Sequence, residues 1–288
     1  MKNADITDPI FREAVEAIDA GNAARLQQLL NSRPALVAER LPHPTEGYFA
    51  RPYLLWFVAD NPIRHEKLPA NIVAITRLLI TTAKQYAADS FQSQIDYTLG
   101  LVATGRIPRE CDVQIELLDL LLDAGAQPGT GLGALAHGNM TAAEHLLIRG
   151  GRLTLPVAVG LDRENDVKNL LDTSAEPKQE LALVVAAFFG KTNMIQLLIK
   201  RGVNVNVYPA AGSGFHSHAS ALHQAVYSGS LETVRMLVDA GADLIAKDKI
   251  YEGTPLDWAM HMQKEADSIA KEKYTAIEAF LHELQPSS

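Results

Sequence analysis

Ser220-Ala221-Leu222-His223-Gln224-Ala225 opens a segment that continues through Gly229, Val234-Arg235-Met236-Leu237-Val238 and Gly241-Ala242-Asp243-Leu244. On either side of Gly229 the apolar residues fall at i, i+3 and i+4, the spacing that lays one stripe along a helix. A glycine between two helices, and another after the second, mark a helix-turn-helix unit. Thirty-four residues beyond Leu222, Gly253-Thr254-Pro255-Leu256-Asp257-Trp258-Ala259 begins the pattern again. Self-similarity at that period predicts stacked helix pairs, each burying its apolar face against the next.

Working outward, the leucine that anchors each second helix recurs as Leu29, Leu78, Leu121, Leu146, Leu170, Leu198 and Leu237, with Leu281 as a looser eighth. Three residues before the first seven stand Leu26, Ile75, Leu118, Ala143, Val167, Ile195 and Val234, whereas Glu278 precedes Leu281. Small residues recur four positions before the inter-helix turn, as Ala17, Ala134, Ala186 and Ala225, with Ala158 in a unit that lacks the turn glycine. The short intervals between Leu121 and Leu198 predict tight helix pairs. Long intervals predict insertions at residues 43–53, 61–70 and 207–219.

On these residues the chain resembles the ankyrin-repeat family, strongly over 178–259 and by helical register over 11–177. The wording of 253–259, with Asp257 where the motif normally has histidine, looks like bacterial ankyrin-repeat proteins, most of which have no assigned activity. In two further units Val184 and Pro156 take the place of that histidine. The resemblance implies an all-α, ankyrin-like α-solenoid of stacked helix-turn-helix repeats with several loop insertions. One domain is expected to span 1–288, with capping helices over 255–285. The resemblance also implies binding of another protein on the concave side and loop tips, and a structural bond from His223 to the backbone of the adjacent loop.

Composition excludes several function classes. The net charge is −8, and the 26 Lys and Arg are dispersed among 34 Asp and Glu. Nucleic acid needs a clustered basic face, so it is not an expected partner. No apolar run approaches a membrane span, the longest being residues 181–189, and the N-terminal segment lacks the pattern of a signal peptide. A lone cysteine, Cys111, allows no internal disulfide and suits a reducing compartment, so a cytoplasmic location is expected.

Chemical motifs are sparse. Gly129-Thr130-Gly131-Leu132-Gly133 imitates a dinucleotide loop, but it follows a helix where that fingerprint requires a strand, so an inter-repeat turn is expected. Cys111 is flanked by Glu110 and Asp112, whose charge disfavours a thiolate. Phe215-His216-Ser217-His218, with His223 following, places two imidazoles on one side of an extended segment, as zinc ligands would be. Loop aromatics are the residue types that most often anchor interfaces. The first insertion holds Tyr48, Phe49 and Tyr53 around Arg51; the third holds Tyr208 and Phe215; Tyr251 precedes the last motif.

The expected function is therefore noncatalytic recognition of a protein partner by a monomer, without cofactor or metal. Its contact residues are expected to be Tyr208, Phe215, His216, His218, Tyr251, Phe189 and Tyr227. The alternative is a metal- or small-molecule-binding protein, possibly a hydrolase, built on His216, His218 and His223.

Overall fold

A computed structural model describes residues 3–41 and 47–284, so positions 43–46 of the first insertion lie outside the described residues. Among the described residues the chain is helical and has no strand, and an isolated antiparallel bridge joins Arg40 to Tyr53. The chain divides into two compact units, Met1–Arg152 and Leu153–Ser288.

The first unit contains α1 (Pro9–Asp19), α2 (Ala23–Ser32), α3 (Ile72–Tyr86), α4 (Ala88–Thr104), α5 (Arg106–Glu110), α6 (Gln114–Asp123), α7 (Leu132–Ala136) and α8 (Met140–Ile148). Helix α1 begins where the Asp8 carboxylate accepts the Ile10 and Phe11 N–H groups, both at 2.9 Å, and Pro9 supplies a helical φ at the first position. In the second pair the first helix is replaced by a 3-10 segment, Leu54–Ala59, all six residues of which are buried. It packs between α1 and α4, while α2, α3, α6 and α8 line up behind as the second helices.

A buried ionic cluster ties the second insertion to this layer. The Arg64 guanidinium donates to Asp19 Oδ1 at 2.7 Å and Oδ2 at 3.0 Å, and lies 4.9 Å from the Phe57 ring centre. Asp60, in a left-handed conformation, accepts the Arg64, His65 and Glu66 N–H groups at 3.0–3.2 Å. Its carboxylate therefore organises the first half of the 61–70 loop without a helix.

The glycine-rich run is the turn between α6 and α7. At Gly131, which caps α7 with φ of +77°, an added Cβ would stand 3.1 Å from the Ala143 carbonyl oxygen and 3.2 Å from its Cα. Both the left-handed backbone and the neighbouring chain exclude a side chain here. Gly131→Ala is expected to lower stability by about 2 kcal/mol. An unchanged urea midpoint would show that the turn relaxes freely.

The second unit repeats one pattern four times: α9 (Leu155–Gly160) with α10 (Glu164–Leu171), α11 (Glu176–Phe188) with α12 (Thr192–Lys200), α13 (Ala221–Ser228) with α14 (Leu231–Asp239), and α15 (Pro255–Glu265) with α16 (Ser268–Glu283). The first helices pack in series, α9 on α11 on α13 on α15, and α12, α14 and α16 do the same behind them. Ala158, Ala186, Ala225 and Ala259 are fully buried at the helix approaches, where a larger side chain would force the layers apart. The turn of the first of these pairs closes on Asp162, with φ of +57°, where the next two use Gly190 and Gly229. Aspartate tolerates this region better than most side chains, and its presence explains why the glycine count misses this turn.

Leu29, Leu121, Leu146, Leu198, Leu237 and Leu281 are buried as the ruler requires. At two positions the anchor is displaced by one residue: Leu79 and Leu171 are buried, while Leu78 and Leu170 are half-buried. In these helices the stripe runs i to i+4 from Ile75 and Val167, so the i+3 neighbour rotates toward the edge. The last helix uses the same step from Ile277 to Leu281. It also buries Tyr274 and leaves Leu284 exposed.

Candidate functional site

The candidate site lies in the second unit, where the third insertion, α13, the loop before α15 and α15 itself meet. Two capping boxes set its frame. At the start of α15, Thr254 N–H donates to Asp257 Oδ2 at 2.8 Å and Asp257 N–H returns a bond to Thr254 Oγ1 at 3.2 Å, with Pro255 at the first helical position. At the start of α13, His223 Nδ1 accepts the Ser220 N–H at 3.3 Å and sits 2.7 Å from its hydroxyl. Because Nδ1 accepts, the proton is on Nε2, which donates to the Gly253 carbonyl oxygen at 3.0 Å. The fully buried His223 thus clips the hairpin loop to α13, the role the resemblance implies. Burial lowers its pKa despite the opposing effects of the Gly253 carbonyl and Asp248, so the neutral ring persists.

Asp248 organises the loop. Its carboxylate accepts Ile250 N–H at 3.0 Å, Tyr251 N–H at 2.7 Å, Gly253 N–H at 3.0 Å and Trp258 Nε1–H at 3.0 Å. Burial alone would raise its pKa, but the bonds from Tyr251, Trp258, Ile250 and Gly253 outweigh it and bring the value down to about 2. One charge therefore sets both the turn that presents Tyr251 and the orientation of the Trp258 indole.

Trp258 is the hub of a ring cluster. Its centroid is 5.1 Å from His223, 5.7 Å from His216 and 5.8 Å from His218. His216 meets Tyr227 edge-on at 4.6 Å, and Tyr227 stacks on Phe188 at 5.2 Å. Burial and the neighbouring His218 push the His216 pKa down. An open cavity of about 760 Å³ is lined by Trp258, His216, His218 and Tyr227 together with Tyr251, His261, Met262, Glu252, Asp257 and the Asp248 loop. Tyr251 is 77% exposed and Tyr227 36%, so the rim presents aromatic surface to solvent.

Of the expected contact residues, His216, His218, Tyr227 and Tyr251 come together around this cavity. Phe215 is 1% exposed, which corrects its placement as a surface contact. It packs edge-on against Phe188 at 5.1 Å and Phe189 at 6.2 Å, supporting the rings from within. Phe189 is half-buried beside it. Tyr208 does not line the cavity; it donates to the Lys247 carbonyl oxygen at 2.9 Å, with the Lys249 ammonium 4.5 Å from its ring centre. Trp258, Asp248, Glu252 and His261 join the site without having been singled out as contacts. The spacing Asp248…Gly253 in a run of turn residues was the available signal for the loop, and Trp258 directly after the cap residue Asp257 was the signal for the ring hub.

The alternative metal reading finds no support. His223 has both ring nitrogens committed, and among the described residues no group of three or more His, Cys, Asp and Glu is arranged to hold a metal ion. Also among the described residues, no helix is long and apolar enough to cross a membrane.

The family model for ankyrin repeats, in three copies, matches residues 132–248. Residues 132–248 of this chain therefore match ankyrin repeats. Ankyrin repeat and SOCS box protein 6 of Pongo abelii and of Homo sapiens are each 35% identical to it over 78 residues, 27% of this chain and 17% of those proteins. The B-cell lymphoma 3 protein homolog of Mus musculus is 27% identical over 244 residues, 75% of this chain and 51% of that protein. The chain thus spans from a sixth to about half the length of these relatives. The crystal structure of the human ASB11 ankyrin repeat domain is similar over 98% of this chain and 99% of that one, with a TM-score of 0.38 and 14% identity. Ankyrin repeats generally mediate protein–protein interaction.

Proposed function

We propose that this protein is a noncatalytic binding module that receives a segment of a protein partner in the ring-lined cavity of its second unit. The observation that carries the reading is an open cavity of about 760 Å³ bordered by Tyr227, Tyr251, Trp258 and three histidines. Exposed aromatics on a rigid frame are the usual anchors of an interface, because they bury much area while losing few rotamers. Phe189 and Tyr208 extend the surface along the first helices and the third insertion. This reading takes that side as the concave face that the resemblance implies. Asp248 and His223, the groups with the most restricted surroundings, spend their polar atoms on the frame itself, which favours binding over proton transfer. Every lining residue comes from positions 216–262 of one chain, so a monomer suffices. The dispersed charge disfavours nucleic acid, and the lone half-buried Cys111 favours the cytoplasm.

The test is partner capture from the native host, followed by affinity measurement with the purified partner. Tyr251→Ala and His218→Ala are each expected to weaken binding about tenfold or more, equivalent to ~1.4 kcal/mol. Tyr86→Ala, which removes an exposed ring from the first unit, serves as the control and is expected to have no effect. Equal affinity for wild type and both cavity variants would refute the placement of the interface.

A further inference from the structure

We propose that the cavity takes an arginine side chain projected by the bound partner, its guanidinium lying against the Trp258, His216 and His218 rings and paired with the Glu252 and Asp257 carboxylates. This rests on the preceding reading and specifies its ligand. The first ground is charge complementarity. The lining contains Glu252 and Asp257, both exposed, and the loop carboxylate Asp248, and it contains no lysine or arginine. The nearby cations of the same loop are engaged outside the lining. Lys249 lies over Tyr208, and Lys247, outside the lining, helps lower the Asp257 pKa together with the stronger Thr254 bonds. Asp248 has its four N–H partners already, so Glu252 and the free oxygen of Asp257 are the carboxylate atoms left to meet a ligand.

The second ground is the ring lining. Aromatic faces carry negative potential and attract a cation that has shed part of its water, and tryptophan does so most strongly. The Trp258 indole is fixed through its Nε1–H to Asp248, so its orientation is set before any ligand arrives. The same bond draws electron density toward the ring, with a carboxylate behind it. His216 and His218 stand 5.8 Å apart and lie 5.7 Å and 5.8 Å from Trp258, edge-on and tilted, so the three rings together line one part of the cavity. A neutral His216 adds no opposing charge. Arginine fits better than lysine for two reasons: its planar, weakly hydrated guanidinium stacks on rings, and its fork of N–H groups bonds a carboxylate with two parallel contacts.

The experiment uses the full chain with labelled histidine and a short, otherwise uncharged peptide carrying one arginine, titrated near neutral pH and followed by NMR. Two companion peptides carry citrulline, the neutral shape-mimic of arginine, or glutamate at the same place. The arginine peptide is expected to shift the His216, His218 and His261 ring signals in a saturable way, with citrulline binding at least about tenfold more weakly and glutamate not at all. Glu252→Gln, an exposed change that leaves the frame intact, is expected to reduce the arginine response several-fold. Citrulline binding as well as arginine, tighter binding of glutamate, or no histidine response to the arginine peptide would each overturn the proposal. If that happens while Tyr251→Ala still weakens partner binding, the cavity stands as the interface and only its ligand is wrong. A partner indifferent to Tyr251→Ala, beside an arginine response at the histidines, would place the partner elsewhere and leave the arginine site in force.

Discussion

Arg64→Ala is expected to lower the unfolding free energy of the first unit by about 3–5 kcal/mol, the largest effect of any substitution argued for this chain. The Arg64 and Asp60 side chains are 4% and 2% exposed and Asp19 14%, so the ions have little water to fall back on. Removing the guanidinium breaks a two-pronged contact with Asp19, a bond to Asn3 Oδ1 at 3.1 Å, and the packing against Phe57. Asp19 keeps its His65 and Asn3 contacts, but it and the buried Asp60 both lose the guanidinium charge, and that residual cost dominates the value. Arg64→Lys keeps a charge and loses the fork, so it falls between wild type and alanine. Urea unfolding followed by the Trp56 emission reads the effect, because Trp56 is buried in the 3-10 segment of the same unit and the other tryptophan, Trp258, belongs to the second. A loss below about 1 kcal/mol would mean that the cluster contributes no more than an exposed ion pair.

Asp248→Ala is expected to cost the second unit about 2–4 kcal/mol, since it strips four N–H donors of their acceptor at once, all four bonds being partly buried. Asp248→Asn retains one acceptor oxygen and loses the charge, so about half of that loss is expected. The wild-type carboxyl has a native pKa of about 2 against an ordinary 3.8 when unfolded, and this gap is worth about 2 kcal/mol. The unfolded state binds the proton first, so the contribution is complete above about pH 4 and is lost as pH falls from 3.8 toward 2. His216 and His223 also have native values below the ordinary 6.5, so their contribution is likewise present above 6.5 and declines on acidification from there. Stability of the second unit, read from Trp258 emission, is therefore expected to fall in two stages on acidification. Asp248→Asn should shrink the stage below pH 4 to the part that Asp257 contributes and leave the one that starts near 6.5. A single stage in wild type would contradict the assignment.

What the sequence makes legible follows from how locally each feature is determined. Helix pairing over 178–259 depends on spacing and turn residues within one segment, and the structure follows it closely. The 3-10 segment Leu54-Leu55-Trp56-Phe57-Val58-Ala59 is buried on every side, so it has no polar alternation from which a period could be read. Leu78 and Leu170 mislead because each has a leucine beside it, and only packing decides which faces inward. The histidines of the third insertion and Tyr251 are readable as surface-bound loop residues. Phe215 has the same local appearance and is internal, because Phe188 and Phe189, in the preceding repeat, close over it. The ring hub at Trp258 and its carboxylate Asp248 are joined across ten positions by one side-chain bond, which no periodicity records.

The third insertion has both feet tied down. Its outgoing end bonds from Ala221 N–H to the Val207 carbonyl oxygen at 3.0 Å, and its inner edge takes the Lys249 N–H at the His218 carbonyl oxygen, 2.8 Å away. Between them Gly212 forms an exposed tip where an added Cβ would meet nothing within 4 Å. That makes the tip a grafting point: a fluorophore, an epitope tag or a whole second module spliced in after Gly212 would ride beside the ring-lined pocket while the clamps at its base hold the scaffold unchanged.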